Sequence, residues 1–200
     1  MKRIALKLKH VANISAGYPF RGKIKESSGS GVVAVQMKDV SPVTGVNWAT
    51  CIETTLEGKR QPDFLSHGDI LFASRGSHNY AALVCGQPEQ EGALAVASPH
   101  FYQVRCESEL ILPEYLAWFL NQKPCQRYFE QNAEGTLTKS IRRNVLEDAP
   151  IAVPLLEKQQ MIIALSETLT EERKLVERLI DNGETLMNSI AKDLLNECKE

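Results

Sequence analysis

Three polar segments of this chain concentrate side chains that can bind phosphates and base edges. They span residues 20–31, 74–80 and 135–144, and each lies between apolar stretches that indicate strands or helices. Guanidinium and ammonium groups bind phosphate oxygens, while Arg pairs with guanine and Asn with adenine in the major groove. Hydrophilic loops without a ligand are the alternative. The candidates for DNA contact are Arg21, Lys23, Arg75, Ser77, His78, Asn79, Lys139, Arg142 and Arg143.

The charge of the chain is unevenly distributed. Its formal net charge is −2, but residues 1–25 contain seven Lys or Arg and no Asp or Glu. Residues 155–200 carry ten acidic and six basic side chains, which leaves residues 1–154 with a net charge of +2. Phosphate contact requires a local basic face rather than a basic total. On charge alone, solvated surface lysines explain the pattern equally well.

Recognisable catalytic motifs are absent from the sequence. It has no Asn/Asp-Pro-Pro-Tyr/Phe block, no Gly-rich strand–loop–helix for a nucleotide, and no nucleophile elbow. Pro62-Asp63 and Glu172-x-Lys174 imitate a nuclease signature but lie too far apart, and the second lies in a predicted helix. The four His residues lack metal-ligand spacing. The sequence therefore offers no recognisable catalytic motif, and we expect no metal site in it.

Cysteine usage and hydropathy indicate a protein of the cytoplasm. The five Cys residues are scattered and include no Cys-x-x-Cys pair, so we expect reduced and mostly buried thiols. No apolar run approaches the roughly 18 residues of a membrane span, and no signal-peptide block follows the basic N-terminus. We expect no membrane partner.

Apolar runs and turn residues predict a set of short elements. β-branched or apolar stretches predict strands at 32–37, 70–73, 81–84, 93–97, 101–106 and 151–153, with a less distinct strand near 46–52. Pro113 and Pro124 each suit the first turn of a short helix. The aromatic residues of these helices are expected in the core rather than in a base-stacking platform.

Residues 154–195 have the pattern of one long helix, with Pro154 expected in its first turn. A helix of about 40 residues is about 60 Å long, which exceeds the width of a small domain. Its apolar heptad stripe is therefore expected to pair with another helix, although packing on the chain's own core is the alternative. Gly183 would permit close approach or a bend. The stripe comprises Leu155, Ile162, Leu165, Leu169, Val176, Leu179, Gly183, Leu186 and Ile190.

The order of these segments resembles the specificity subunits of type I restriction–modification systems. The resemblance spans nearly the whole chain, and although each motif is weak alone, their order and spacing are specific. The strongest motif is the strand-to-helix junction at residues 151–159. The matching stretches are Lys7-Leu8, Ile14-Ser15-Ala16-Gly17, Val35-Gln36-Met37-Lys38-Asp39-Val40, Gly68-Asp69-Ile70-Leu71, Ser74-Arg75-Gly76, Pro113-Glu114-Tyr115-Leu116 and Ile151-Ala152-Val153-Pro154-Leu155-Leu156-Glu157-Lys158-Gln159.

The resemblance implies an α+β fold in two parts. Residues 1–153 would form one mixed-strand DNA target-recognition domain with short helices, and residues 154–200 a dimerisation and spacer helix that pairs as an antiparallel coiled coil. Because the family's usual subunit has two such domains and two such helices, this chain resembles a half-length form that needs a second copy.

The resemblance also implies the function and the partners. The chain would be the non-catalytic subunit that reads double-stranded DNA, one half of a bipartite site per copy. It would hold modification subunits that bind S-adenosylmethionine and methylate adenine N6, so no cofactor is expected in the chain itself. A restriction subunit can add to that core.

Two other functions remain open at this level. The chain could be a self-contained restriction endonuclease with a similar recognition domain. It could also be a structural protein whose long helix docks a partner while the remainder binds no DNA.

Overall fold

The computed structural model describes residues 4–57, 61–89, 92–135 and 138–197. Within these ranges the chain forms thirteen strands and four α-helices, with three short 3-10 turns at Leu8–His10, Met37–Asp39 and Trp48–Thr50. The strands are β1 (Ile4–Lys7), β2 (Ala12–Ala16), β3 (Val32–Val35), β4 (Val40–Ser41), β5 (Gly45–Val46), β6 (Ile52–Glu53), β7 (Ile70–Ala73), β8 (Arg75–Gly76), β9 (Ala81–Leu83), β10 (Leu94–Ala97), β11 (Phe101–Cys106), β12 (Lys139–Ser140) and β13 (Pro150–Val153). The helices are α1 (Pro113–Leu120), α2 (Lys123–Asn132), α3 (Arg143–Glu147) and α4 (Leu156–Glu197). The α+β prediction is confirmed.

The chain separates into two compact units, one up to Gln160 and one from Met161 onward. The first unit contains all the strands together with α1, α2, α3 and the first turn of α4. The second consists of the remainder of α4. Among the described helices, none is long and apolar enough to span a membrane.

Two sheets form the centre of the first unit. The larger has the order β2–β11–β7–β9 and is antiparallel throughout. The second has the order β10–β3–β6, in which β10 and β3 are parallel. Smaller pairs join β1 to β13, β12 to β8 and β4 to β5.

The apolar run of β7 explains its central position. All four of its residues are buried, as expected for a strand that is covered on both faces. Leu71 and Ala73 join the hydrophobic cluster that includes residues of β3 and β10, whereas the alternate residue Phe72 packs on Phe129 of α2 at a ring-centroid distance of 4.9 Å. One sheet face is therefore covered by the second sheet and the other by helices.

The helices α1 and α2 are anchored to the sheet by polar contacts as well as by their apolar faces. At the end of α1, the Asn121 amide donates to the Ala81 carbonyl at 2.7 Å and accepts from the Ala81 N–H at 2.9 Å. This side chain takes the place of a further strand on the outer edge of β9, where backbone groups would otherwise lack partners. The prediction that the aromatic residues of these helices lie in the core holds for Tyr115 and Phe129, which are buried, whereas Trp118, Phe119 and Tyr128 are half-buried.

The start of the long helix differs from the sequence prediction. The carbonyl of Leu155 accepts the N–H groups of Lys158 and Gln159, so the first intrahelical bonds start at Leu155 and α4 begins at Leu156. Pro154 therefore lies ahead of the first turn rather than within it. Its carbonyl instead accepts a hydrogen bond from the Gln159 side chain at 2.8 Å.

Candidate nucleic-acid interface

The first two polar segments leave the large sheet at the same end. Both β2 and β7 pair antiparallel with β11, so they run parallel to each other. The last residue of β2, Ala16, lies opposite Tyr102, and the last residue of β7, Ala73, lies opposite Phe101. The segments carrying Arg21 and Arg75 therefore both begin beside the first residues of β11. The sequence placed them far apart, and the sheet brings their starting points together.

The turn between β10 and β11 connects these two segments. On one side, the Gly17 N–H donates to the Phe101 carbonyl and the Tyr18 N–H to the Ala97 carbonyl. On the other side, the His100 carbonyl accepts both the N–H of Ser74, at 2.9 Å, and its hydroxyl, at 2.8 Å. A Cβ atom on Gly17 would overlap the Ser98 carbonyl, which explains why a glycine stands there.

Strand pairing brings the third polar segment to the second. In the β8–β12 pair, Ser140 lies opposite Arg75 and Lys139 opposite Gly76. The Ile141 N–H continues the connection by donating to the Ser74 carbonyl at 2.9 Å. The predicted contacts at Arg75 and Lys139 thus belong to one two-stranded ribbon.

Arg21 and Lys23 line an open pocket together with Tyr18, Phe20 and Thr54. The rings of Tyr18 and Phe20 meet edge to face, with centroids 5.0 Å apart. Both basic residues are exposed. The exposed guanidinium and ammonium groups at this pocket can contact a phosphate.

The first polar segment, residues 20–31, is anchored along part of its length. The Thr54 hydroxyl donates to the Lys25 carbonyl at 2.8 Å, and the Ser27 N–H donates to the Glu53 carbonyl at 2.8 Å. The Gly29 N–H donates to the Glu53 carboxylate at 2.6 Å. These bonds hold the basic segment against β6, so less conformational entropy is lost when it binds a ligand.

Asn79 does not occupy the position that base contact requires. Its side chain is 7% exposed, and its Nδ2 donates to the Ala73 carbonyl at 2.8 Å. The sequence prediction that Asn79 reads bases is therefore corrected to a structural role, because the amide closes the loop between β7 and β9. Its neighbours Ser77 and His78 are exposed.

Arg142 and Arg143 are exposed, but each forms an ion pair with a glutamate. Arg142 contacts Glu134 through Nε at 2.9 Å and Nη2 at 2.8 Å, and Arg143 contacts Glu147 through Nε at 2.7 Å. Surface ion pairs contribute about 0–1 kcal/mol, so an incoming phosphate could compete for either arginine. Arg75 has no such carboxylate among the described residues.

Sequence reasoning missed two further residues at this end of the sheets. Lys38 and His100 are both exposed. The Ser98 N–H donates to the Val35 carbonyl at 2.9 Å, which places the end of β3, two residues before Met37–Asp39, against the turn that carries His100. Their positions in the sequence could have indicated them, because each residue lies next to the end of a predicted buried strand, where side chains from several strands meet.

An ion pair between a buried aspartate and a partly exposed arginine connects the strands beneath this surface. Asp69 is 2% exposed and accepts from Arg105 Nε at 2.8 Å and Nη2 at 2.9 Å, and from Gln103 Nε2 at 2.8 Å. The hydrogen bond to Asp69 raises the pKa of Arg105, so the guanidinium stays positively charged. These contacts of Asp69 attach the turn that precedes β7 to strand β11.

Asp63, which the sequence analysis noted as part of a nuclease-like pattern, also contacts Arg105. Asp63 accepts from the Ser15 hydroxyl at 2.6 Å and lies 3.5 Å from Arg105 Nη1. Across the described residues, no group of three or more His, Cys, Asp or Glu side chains is placed to hold a metal ion.

The thiols are less uniformly buried than the sequence predicted. Cys125 is buried, Cys51 and Cys106 are half-buried, and Cys85 is exposed, whereas Cys198 lies outside the described residues. Burial raises the pKa of Cys51 and Cys125 to about 12 and that of Cys106 to about 11. These three thiols are therefore poor nucleophiles near neutral pH.

The second unit presents the apolar stripe on its surface. Seam residues Leu165, Leu169, Val176, Leu179, Leu186 and Ile190 are between 45% and 70% exposed. The apolar face is wider than a two-position seam, because Ile180, Met187 and Leu194 lie beside it and are 56%, 64% and 58% exposed. Helix α4 continues through Gly183, where an added Cβ would have no atom within 4 Å.

No family model and no curated protein matches the chain. Solved structures do match. The HsdS subunit from Thermoanaerobacter tengcongensis is 20% identical with a TM-score of 0.59, and the match covers 88% of this chain and 44% of that one. The type I restriction–modification S subunit from M. genitalium is 14% identical with a TM-score of 0.55, covering 90% and 42%.

A third match comes from a structure that describes complex assembly and conformational transition of the type I restriction–modification system. It is 20% identical with a TM-score of 0.63, and the match covers 88% of this chain and 44% of that one. The chain therefore spans less than half the length of the solved chains that it matches. The resemblance inferred from sequence is confirmed at the level of the fold: this chain has the fold of type I restriction–modification specificity subunits, over about one half of such a subunit.

Proposed function

We propose that this chain reads double-stranded DNA as the non-catalytic specificity subunit of a type I restriction–modification adenine-N6 methyltransferase in the cytoplasm. The observation that carries the proposal is the convergence of basic segments at one end of the sheets of the first unit. The segments with Arg21 and Arg75 start beside the same end of β11, and β12 adds Lys139. Phosphate contacts from such residues position the protein, while neighbouring polar groups read bases.

The long helix supports assembly with a second copy. Leaving a large apolar side chain in water instead of burying it forgoes about 1.5–3 kcal/mol, and α4 exposes many such residues along one face. A second α4 packed antiparallel would bury both stripes at once.

The width of the apolar face supports a further, helical partner. A two-helix seam covers the two central heptad positions, whereas Ile180, Met187 and Leu194 fall outside them. We propose that the modification subunit covers this remaining surface. That subunit would bind S-adenosylmethionine and carry out methyl transfer, and a restriction subunit could join the same core.

Co-expression tests this proposal directly. The chain would be purified with and without the modification subunit of its own system, and binding to a DNA library would be measured at several salt concentrations. We expect sequence-selective binding by the complex and no DNA cleavage by the chain alone with Mg²⁺. Absence of selective binding by the complex would refute the DNA-reading role. Cleavage by the chain alone that a single carboxylate substitution abolishes would instead show an endonuclease.

A further inference from the structure

Four polar side chains share one face of the β8–β12 ribbon and the residues next to it. They are Arg75, Ser140, Glu134 and Arg142. Ser140 lies opposite Arg75 on one side, and an isolated antiparallel bridge places it opposite Glu134 on the other. Residues directly opposite each other in neighbouring strands project from the same face. Arg142 is two positions beyond Ser140, so it belongs to that face too, and it holds the Glu134 carboxylate.

The opposite face of this ribbon points inward. Ile141, which alternates with Ser140 and Arg142, is 1% exposed and belongs to the core. The side chains of Glu134 and Arg142 are 54% and 67% exposed. The polar face is therefore the outward face of the ribbon, and a two-stranded ribbon is an element that fits the major groove of DNA.

A carboxylate in this position needs an explanation. Glu134 stands on the surface proposed to face DNA, where phosphates repel it. Both of its oxygens contact Arg142, at 2.9 and 2.8 Å, so the pair as a whole is neutral and holds the guanidinium in one orientation. Each carboxylate oxygen retains a lone pair, and the guanidinium retains N–H groups that do not point at Glu134.

These remaining groups match one base pair best. A carboxylate can accept a hydrogen bond only from a base amino group, which in the major groove is cytosine N4 or adenine N6. An arginine beside it donates to guanine O6 and N7. Cytosine and guanine offer both patterns within a single pair.

We propose that Glu134 is a specificity-determining residue, which with Arg142 reads one C·G base pair in the major groove. This inference rests on the proposed DNA-reading function. It also gives Arg142 a base contact rather than a phosphate contact. Glu134 rejects base edges that offer only acceptors, and the orientation of Arg142 depends on it.

The test is selection of preferred half-sites from a randomised DNA library by the complex with the modification subunit. We expect Glu134→Gln to reduce the preference for C·G at one position by about tenfold, or to shift it towards A·T, because a carboxamide can pair with adenine. Arg142→Lys keeps the charge but loses the two-point contact, and it should relax the same position. Lys23→Ala is the matched control, and it should lower affinity while the selected sequence stays the same.

The outcomes separate this inference from the function on which it rests. If the wild-type complex selects no sequence, the DNA-reading role fails. If the wild-type complex selects a sequence and Glu134→Gln and Arg142→Lys both select that same sequence, Glu134 and Arg142 form only a surface ion pair and the inference is overturned. Unfolding midpoints of both variants within about 2 °C of the wild type would show that a changed preference does not arise from partial unfolding, since the loss of one surface pair is small.

Discussion

The side-chain oxygen of Gln159 accepts a hydrogen bond from the backbone N–H of Leu112 at 2.9 Å. The same side chain donates from Nε2 to the carbonyls of Leu110 and Pro154, both at 2.8 Å. Gln159 is fully buried, although it lies in the first turn of a helix that is otherwise exposed along most of its length. It thereby secures the beginning of α4 to the turn that precedes α1.

We expect Gln159→Ala to lower the free energy of unfolding of the first unit by about 3 kcal/mol. The substitution removes three hydrogen bonds of about 1 kcal/mol each and leaves the Leu112 N–H without its acceptor. Urea denaturation measures the change. Gln160→Ala is the matched control, because Gln160 is the adjacent residue and is exposed, and it should cost less than about 0.5 kcal/mol. Equal effects of the two substitutions would contradict the role of Gln159.

We expect Lys23→Ala to weaken DNA binding about equally on all sequences. Lys23 is exposed in the pocket beside Arg21, where loss of one phosphate contact should reduce the slope of log affinity against log salt by about 0.9. Salt titrations of the complex on a cognate and a random duplex measure both quantities. Lys192→Ala, on the second unit, should leave the slope unchanged. A slope that stays the same in Lys23→Ala would remove Lys23 from the interface.

We expect Asn79→Ala to affect folding more than base choice. The substitution removes the donor to the Ala73 carbonyl at a position that is 7% exposed, which should lower stability by about 1–3 kcal/mol. Thermal unfolding and half-site selection together measure the outcome. Ser77→Ala serves for comparison, because Ser77 is exposed in the same loop and should not lower stability. A changed base preference at full stability would restore Asn79 as a base-reading residue.

We expect Leu169→Asp or Val176→Asp to prevent pairing of two chains. Either change places a charge in a seam that pairing removes from water, which costs several kcal/mol unless the charge finds a partner. Analytical ultracentrifugation at tens of micromolar should show a dimer for the wild type and a monomer for the variants. Asn188→Asp is the control, because Asn188 is exposed and lies about 120° around the helix from Val176. A monomeric wild type at this concentration would count against the dimer.

The elements with strong local patterns could be predicted from the sequence. The apolar run of β7 and the proline-initiated helices α1 and α2 appear where the sequence placed them, because burial and proline geometry act on consecutive residues. The long helix also appears, with its stripe on the surface. Its pairing remains a prediction.

The interface was harder to predict, because it depends on contacts between distant parts of the chain. The strands β8 and β12 have two residues each and show no periodicity, and only their pairing brings Lys139 beside the strand of Arg75. The prediction for Asn79 was wrong for the same reason. Nothing in a polar loop sequence indicates that the Asn79 amide turns inward and donates to the Ala73 carbonyl. The burial of Gln159 could not be predicted for the same reason, because its partners at Leu110 and Leu112 are remote in sequence.

The symmetry of a dimer of identical chains predicts the form of the DNA site. Two identical chains related by a two-fold axis present their reading surfaces in opposite orientations, so the preferred DNA site should be an inverted repeat with an unread spacer. The 42 residues of α4 correspond to about 63 Å, which limits the spacer to about 18 base pairs.

The decisive measurement is a genome-wide map of N6-methyladenine after co-expression of this chain with its modification subunit. We expect methylation within a bipartite motif whose two half-sites are identical inverted arms around a spacer of fixed length. An asymmetric bipartite motif would show that the chain does not act as a symmetric pair, and unchanged methylation in a strain that lacks the chain would show that it does not direct the methyltransferase.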